Sequence, residues 1–193
     1  MRILNEAIRS VGGPAALITT VKEPTLESGK IIMEHKNIPI LSITGGEAVV
    51  KVAMKIGKKV VAAGPGNPPV IVDDTAILKE AAKHIVDGAS FDNNILCVAE
   101  KEVFAFDSIA DELMREMEKN GAFRVYGADI EKIVSCVLQV KDGKHVVNRK
   151  YVGQDAAVIL RDSGVAFTGN PRPGTAEVPK DHPLVMTEML RPV

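Results

Sequence analysis

Apolar runs rich in β-branched residues alternate along the chain with amphipathic stretches, the pattern of a mainly parallel sheet covered by helices. Arg2 and Glu6 interrupt the first apolar stretch, so the start reads as part of a helix and not as a secretory h-region. Residues 16–21 (ALITTV) read as a strand and 26–35 as a helix. Residues 38–44 form a second strand that stops at Gly45-Gly46. Over 47–56, Val49, Val50, Ala53 and Met54 recur at helical spacing. Gly57 serves as the C-cap, and 59–63 (KVVAA) is the next strand.

The run Gly64-Pro65-Gly66-Asn67-Pro68-Pro69 fits neither a helix nor a central strand, because its prolines lack amide donors and its glycines are flexible. A domain boundary is placed there, dividing the chain into 1–66 and 67–193. Beyond it, 70–73 reads as a short strand. Residues 75–87 read as a helix with Ile77, Leu78, Ala81 and Ile85 on one face. A strand over 102–106, a helix over 109–120 capped by Gly121, and a helix over 129–139 follow. Asp142-Gly143 within 141–150 is a hairpin signal. Residues 156–161 are a short helix, 170–179 with three prolines a loop, and 184–188 a final strand. There is no internal repeat. No strand precedes the first helix and the chain stops straight after a strand, so the expectation is a piece of a longer polypeptide.

Composition narrows the functional classes. The 193 residues are 46% hydrophobic and 25% charged, with a formal net charge of -1. That balance gives no electrostatic reason to expect nucleic acid or an anionic membrane as partner. The longest apolar runs are far too short to span a bilayer. Two cysteines with seven methionines fit a reducing compartment, with the cytoplasm as default. His35, His84, His145 and His182 are scattered singly, and no cysteine or histidine has a partner at zinc-ligand spacing, so no metal site is expected.

Candidate chemistry lies in three places. Cys97 follows the polar run Ser90-Phe91-Asp92-Asn93-Asn94, where a thiol is partly accessible and near backbone amides, as a nucleophilic cysteine requires. The competing reading is a small buried hydrophobe between Leu96 and Val98. Cys136 sits in the apolar run 133–138 and reads as core packing. Thr44-Gly45-Gly46 ends a strand and opens a helix, which suits a pyrophosphate, although a strand-ending Gly-Gly also serves as a plain tight turn and is not the G-x-G-x-x-G fingerprint.

Taken together, Thr44-Gly45-Gly46, then 63–69 (AGPGNPP), then 89–94 (ASFDNN) ahead of Cys97 resemble the aldehyde dehydrogenase superfamily, and more narrowly its CoA-acylating branch of the ethanolamine- and propanediol-utilisation type. Thr19-Thr20-Val21, Glu23-Pro24-Thr25, His182-Pro183 and Thr187-Glu188 extend the resemblance over essentially the whole chain. It implies an α/β fold in which 1–66 is the C-terminal part of a Rossmann-like NAD-binding domain and 67–193 most of an α/β catalytic domain. It places the catalytic thiol at Cys97, the cofactor-loop turn at Thr44, Gly45 and Gly46, and the glutamate directed at the nicotinamide ribose at Glu188. The cofactor implied is NAD, with NADP as the alternative, and coenzyme A is the co-substrate of a short-chain aldehyde. A homo-oligomer is implied, in the cytoplasm or in a bacterial microcompartment within it. The family's asparagine oxyanion donor and first Rossmann strands would precede Met1. The strand completing the catalytic domain and the oligomerisation arm would follow Val193.

Ala63 carries the choice of acceptor. Hydrolytic relatives hold a glutamate there as general base for the deacylating water, and no other carboxylate stands in the Gly64–Pro69 loop. Water needs such a base, whereas a CoA thiol of pKa about 8.5 is already partly ionised near neutrality. Two alternatives are carried beside the acylating enzyme: a hydrolytic aldehyde dehydrogenase giving a free acid, and a non-catalytic nucleotide-binding or assembly module.

Overall fold

The computed structural model describes residues 1–192; Val193, the last residue of the second expected domain, lies outside the described residues. The chain forms two compact units, Met1–Gly64 and Pro65–Val193.

In the first unit, α1 (Arg2–Ser10) ends in a reversal at Gly12, whose φ of 83° is the left-handed conformation that glycine adopts without strain. No strand forms over 16–21. The Asn5 side chain takes both backbone groups of Ile18, donating to its carbonyl at 2.7 Å and accepting from its amide at 3.1 Å. The backbone there is satisfied by a side chain and not by a ladder, which accounts for the lost strand. Thr25 and Ser28 form a reciprocal capping box that starts α2 (Leu26–Glu34). Then β1 (Ile40–Thr44), α3 (Glu47–Met54) and β2 (Lys59–Ala63) make a βαβ unit, its strands parallel with Ile40 opposite Lys59 and Thr44 opposite Ala63. Only Leu41 and Ala53 are buried in this unit.

The second unit holds two cores. In the first, parallel β3 (Pro69–Val72) and β4 (Glu102–Ala105) accompany α4 (Leu78–Ser90) and α5 (Asp107–Lys119) around Val72, Ile85, Val86, Leu113 and Met117. The α4 helix starts later than the apolar spacing predicts. Asp73 accepts from the Thr75 amide at 3.0 Å and the Thr75 hydroxyl at 2.6 Å, a local turn that competes with the helix. In the second core, α6 (Ala128–Val137) and α7 (Ala156–Asp162) pack around Val125, Ile133, Val137, Tyr151, Ile159 and Leu160.

Three further expectations are corrected here. The helix foreseen to residue 139 stops at Val137, because Asn148 takes the Cys136 carbonyl with its side chain and the Val137 carbonyl with its amide. The chain continues as the hairpin β6 (Leu138–Lys141) and β7 (Lys144–Val147), turned at Asp142 and Gly143 with φ of 51° and 72°. The proline-rich loop contains β8 (Gly174–Ala176), parallel to β5 (Phe123–Val125), a short strand that apolar patterning missed. The strand foreseen at 184–188 is instead the short helix α8 (Pro183–Met186). His182 caps it by accepting the Leu184 amide, and Pro183 occupies the first helical position, where a missing amide costs nothing.

Among the described residues, three of the four strand pairs are parallel. No helix among the described residues is long and apolar enough to cross a membrane.

Candidate active site

After α4 ends at Ser90, Asp92, Asn93 and Asn94 take φ of 47°, 51° and 53° in succession. A left-handed conformation costs an L-residue roughly 1–2 kcal/mol, and Asp and Asn tolerate it best. Side-chain hydrogen bonds offset that cost. Asn94 is buried and donates to the Ala89 carbonyl at 2.7 Å and the Glu100 carbonyl at 2.8 Å, closing the whole loop on itself. Asn93 donates to the Gly153 carbonyl at 3.1 Å. Gly153, at φ 67°, lets its backbone approach Ile95, whose Cδ1 would stand 3.1 Å from an added Cβ.

Cys97 lies in the turn that follows. The Ala99 amide donates to the Leu96 carbonyl at 3.2 Å, making Cys97 and Val98 the central residues of a β-turn. The thiol is exposed, and among the described residues no carbonyl takes the Cys97 amide. An exposed thiol next to an unclaimed amide can attack a carbonyl carbon and hold the oxygen that becomes negative.

Two side chains tie this turn to its surroundings. The Lys101 ammonium donates to the Asn94 side-chain oxygen, to the Leu96 carbonyl at 2.8 Å and to the Ala99 carbonyl at 3.3 Å. Burial pulls the Lys101 pKa below the ordinary lysine value, while electrostatic attraction toward Glu188, Cys97 and Glu100 opposes that shift. Asn67, in the Gly64–Pro69 loop, donates to the carbonyls of Val185 at 2.8 Å and Thr187 at 2.9 Å, and accepts from the Met189 amide at 2.8 Å. The segment bearing Glu188 is thereby fixed to the loop before β3. That same loop accepts the Lys101 amide at the Pro68 carbonyl, at 3.0 Å. Cys97, Lys101 and Glu188 thus belong to one connected set of loops, all within the second unit.

Thr44, Gly45 and Gly46 lie in the first unit. Gly45 donates to the Ala63 carbonyl at 3.2 Å, which brings Ala63 to the same sheet end as the Gly-Gly turn. Gly46 is the N-cap of α3, and a Cβ added there would meet nothing within 4 Å. Internal packing does not demand a glycine at that point. A helix start open to solvent can receive an anion.

Residues 1–135 match the aldehyde dehydrogenase family. The chain belongs to that family. It is 44% identical over 194 residues to acetaldehyde dehydrogenase (acetylating) EutE of Salmonella typhimurium, covering 99% of this chain and 42% of that enzyme. A propionaldehyde dehydrogenase from the fucose utilisation bacterial microcompartment of Clostridium phytofermentans superposes with a TM-score of 0.86 at 42% identity, over 99% of this chain and 43% of its own. The Rhodopseudomonas palustris propionaldehyde dehydrogenase with bound CoA and an acylated cysteine superposes with a TM-score of 0.84 at 38% identity, over 99% and 43%. The chain spans less than half the length of each of these relatives, and its α/β fold is that of the acylating aldehyde dehydrogenases.

Within this aldehyde dehydrogenase fold, Cys136 is half-buried and packs against the second core. Lys101 and Asn67 were missed as site residues by sequence reasoning. Asn67 had one legible signal, a polar amide among prolines that supply no donors. Lys101 had none, since a lone lysine between two glutamates reads as a solvated charge.

Proposed function

We propose that the enzyme built on this chain oxidises a short-chain aldehyde to its acyl-CoA thioester with NAD+, NADP+ being the alternative oxidant, through a covalent intermediate on Cys97. The observation that carries this reading is the exposed Cys97 thiol in a turn with its own amide free, in loops that also hold Glu188. The acylated cysteine and CoA of the R. palustris relative support the same chemistry. The Cys97 thiolate forms a C–S bond to the aldehyde carbon, and the carbonyl pair moves to oxygen, where the Cys97 amide donates to it. Collapse of that oxyanion expels hydride to the nicotinamide and leaves a thioester. CoA thiolate attacks the acyl carbon and expels Cys97 thiolate.

In this reading 1–66 holds the dinucleotide, with Thr44, Gly45 and Gly46 against its phosphates, and 67–193 carries the chemistry, with Glu188 accepting from the nicotinamide ribose. The enzyme works as a homo-oligomer in the cytoplasm or a bacterial microcompartment; the microcompartment origin of the C. phytofermentans relative supports the latter.

Ala63 selects the acceptor. With no carboxylate at that position, the thioester waits for CoA. Active enzyme given aldehyde and NAD+ without CoA should release a burst of NADH, about one per site, followed by a slow phase. CoA should restore steady turnover and yield a thioester. Equal steady rates with and without CoA, with free acid as product, would replace this reading with the hydrolytic one.

A further inference from the structure

We propose that Lys101 is a positioning residue for Cys97: its ammonium clamps the Asn94 side chain and the Leu96 and Ala99 carbonyls, fixing the turn that presents the thiol and keeping a positive charge beside it. The proposal rests on the reading of Cys97 as nucleophile and adds a residue to it.

The clamp is unusual in its partners. Every hydrogen bond from the Lys101 ammonium goes to a neutral oxygen, of Asn94, Leu96 or Ala99. Glu100, its neighbour, is turned toward α4, where its carboxylate lies over Gly88 within 2.0 Å of an added Cβ. A partly buried cation without a contact ion pair is costly, and a neutral amide could have bridged the same carbonyls. No contact ion pair takes up the charge, so it remains available to nearby groups whose negative charge grows during reaction. Cys97 is such a group: thiolate before attack, and neighbour of the oxyanion after it. Glu188 acts on the same ammonium, so Lys101 senses both the nucleophile and the residue assigned to the cofactor. Lys101 moves no proton in this scheme. It acts through the geometry of the Leu96–Ala99 turn and through its field.

The mechanical half of the role follows from the left-handed run at Asp92, Asn93 and Asn94. That run stores strain one turn before the nucleophile, and its last member is gripped at the side-chain oxygen by Lys101. The same ammonium holds Leu96, which immediately precedes Cys97. Releasing the clamp removes the hold of Lys101 on both ends of the six-residue reach from Asn94 to Ala99.

The test uses this chain and needs no aldehyde, dinucleotide or CoA, so it stands whatever the burst experiment gives. Alkylation rates at Cys97 are measured with anionic iodoacetate and neutral iodoacetamide, with Cys136 in the same molecule as reference. In Lys101→Met and Lys101→Gln the iodoacetate-to-iodoacetamide ratio at Cys97 should fall about two- to fivefold, the size expected for one half-exposed charge. Lys101→Arg should retain it, and the Cys136 ratio should not move. A ratio in Lys101→Gln equal to that of the unaltered chain overturns the electrostatic role. A fall in Lys101→Arg as large as in Lys101→Gln also overturns it, since charge would then not be the cause. Hydrogen exchange reads the clamp separately: the Ala99 amide should exchange faster in Lys101→Met than in Lys101→Arg, and equal rates would overturn the positioning role. Should Lys101→Met fail to fold, the Gln and Arg variants carry both comparisons.

Discussion

The two cysteines differ most in their surroundings, with Leu96 and Val98 on either side of Cys97 and Ser135 and Val137 on either side of Cys136. Cys97 is exposed in a turn, whereas Cys136 is half-buried on α6 and packs against the core around Ile133, Val137 and Tyr151. Limited iodoacetamide treatment at neutral pH should therefore modify Cys97 well before Cys136, read by peptide mass mapping. Preferential labelling of Cys136 would remove Cys97 from the role of nucleophile. Steric access supplies most of the difference, so it should persist in variants that leave the 90–101 loop intact.

At the scale of elements, the candidate site depends on one side chain that is neither catalytic nor charged. Asn67 spans from the loop before β3 to the segment after α8 with three donor contacts and one acceptor contact. Replacing it by Ala leaves the Val185 and Thr187 carbonyls and the Met189 amide without a partner. At roughly 0.5–1.5 kcal/mol net for each bond lost, the variant should lose about 2 kcal/mol or more of stability. Asn67→Asp should do no better, because a carboxylate would face carbonyls. The Met189 amide should exchange faster in both, and the KM for dinucleotide should rise through Glu188 more than kcat falls. Unchanged exchange at Met189 would refute the staple. The same comparison shows what could be read from the chain. The strand–helix–strand of β1, α3 and β2 was legible from its hydrophobic period, although the helix stops at Met54 with Lys55, and not Gly57, as its C-cap. The Asp142-Gly143 hairpin was legible because its φ values demand those residues. Residues 16–21 and 184–188 were not, because Asn5 and the His182-Pro183 cap decide them, and apolar spacing carries no trace of either. Cys97, Glu188 and the Gly-Gly turn were readable as motifs; Lys101 and Asn67 became visible only through contacts distant in sequence.

At the scale of the whole chain, the two units are unequal in what holds them. The first buries only Leu41 and Ala53, and leaves Leu26 at 92%, Ile3 at 74% and Val61 at 61% exposure. The second has two cores, with Val86, Val137, Ile159 and Leu160 wholly buried. Burial of a large apolar side chain contributes roughly 1.5–3 kcal/mol, so the cohesion available to the second unit exceeds that of the first severalfold. In the 193-residue chain, hydrogen exchange should therefore be slow for amides of α4, α6 and α7 and fast for those of α1, α2 and β1, with local opening well below the global free energy. The exposed apolar faces of the first unit should also bind a hydrophobic dye before any thermal transition of the second. The ordering matters for function. On the proposed assignment of the dinucleotide to the first unit, its independent opening would raise the KM for dinucleotide while leaving alkylation of Cys97 unaffected, because the thiol's turn is closed by Asn94 and Lys101 within the second unit. The measurement is exchange by mass spectrometry at peptide resolution, run beside the Cys97 alkylation rate over a shallow urea series. If protection in the first unit matches that in α4 and α6, or if Cys97 reactivity changes at the urea concentration where the first unit opens, the two units are not energetically independent.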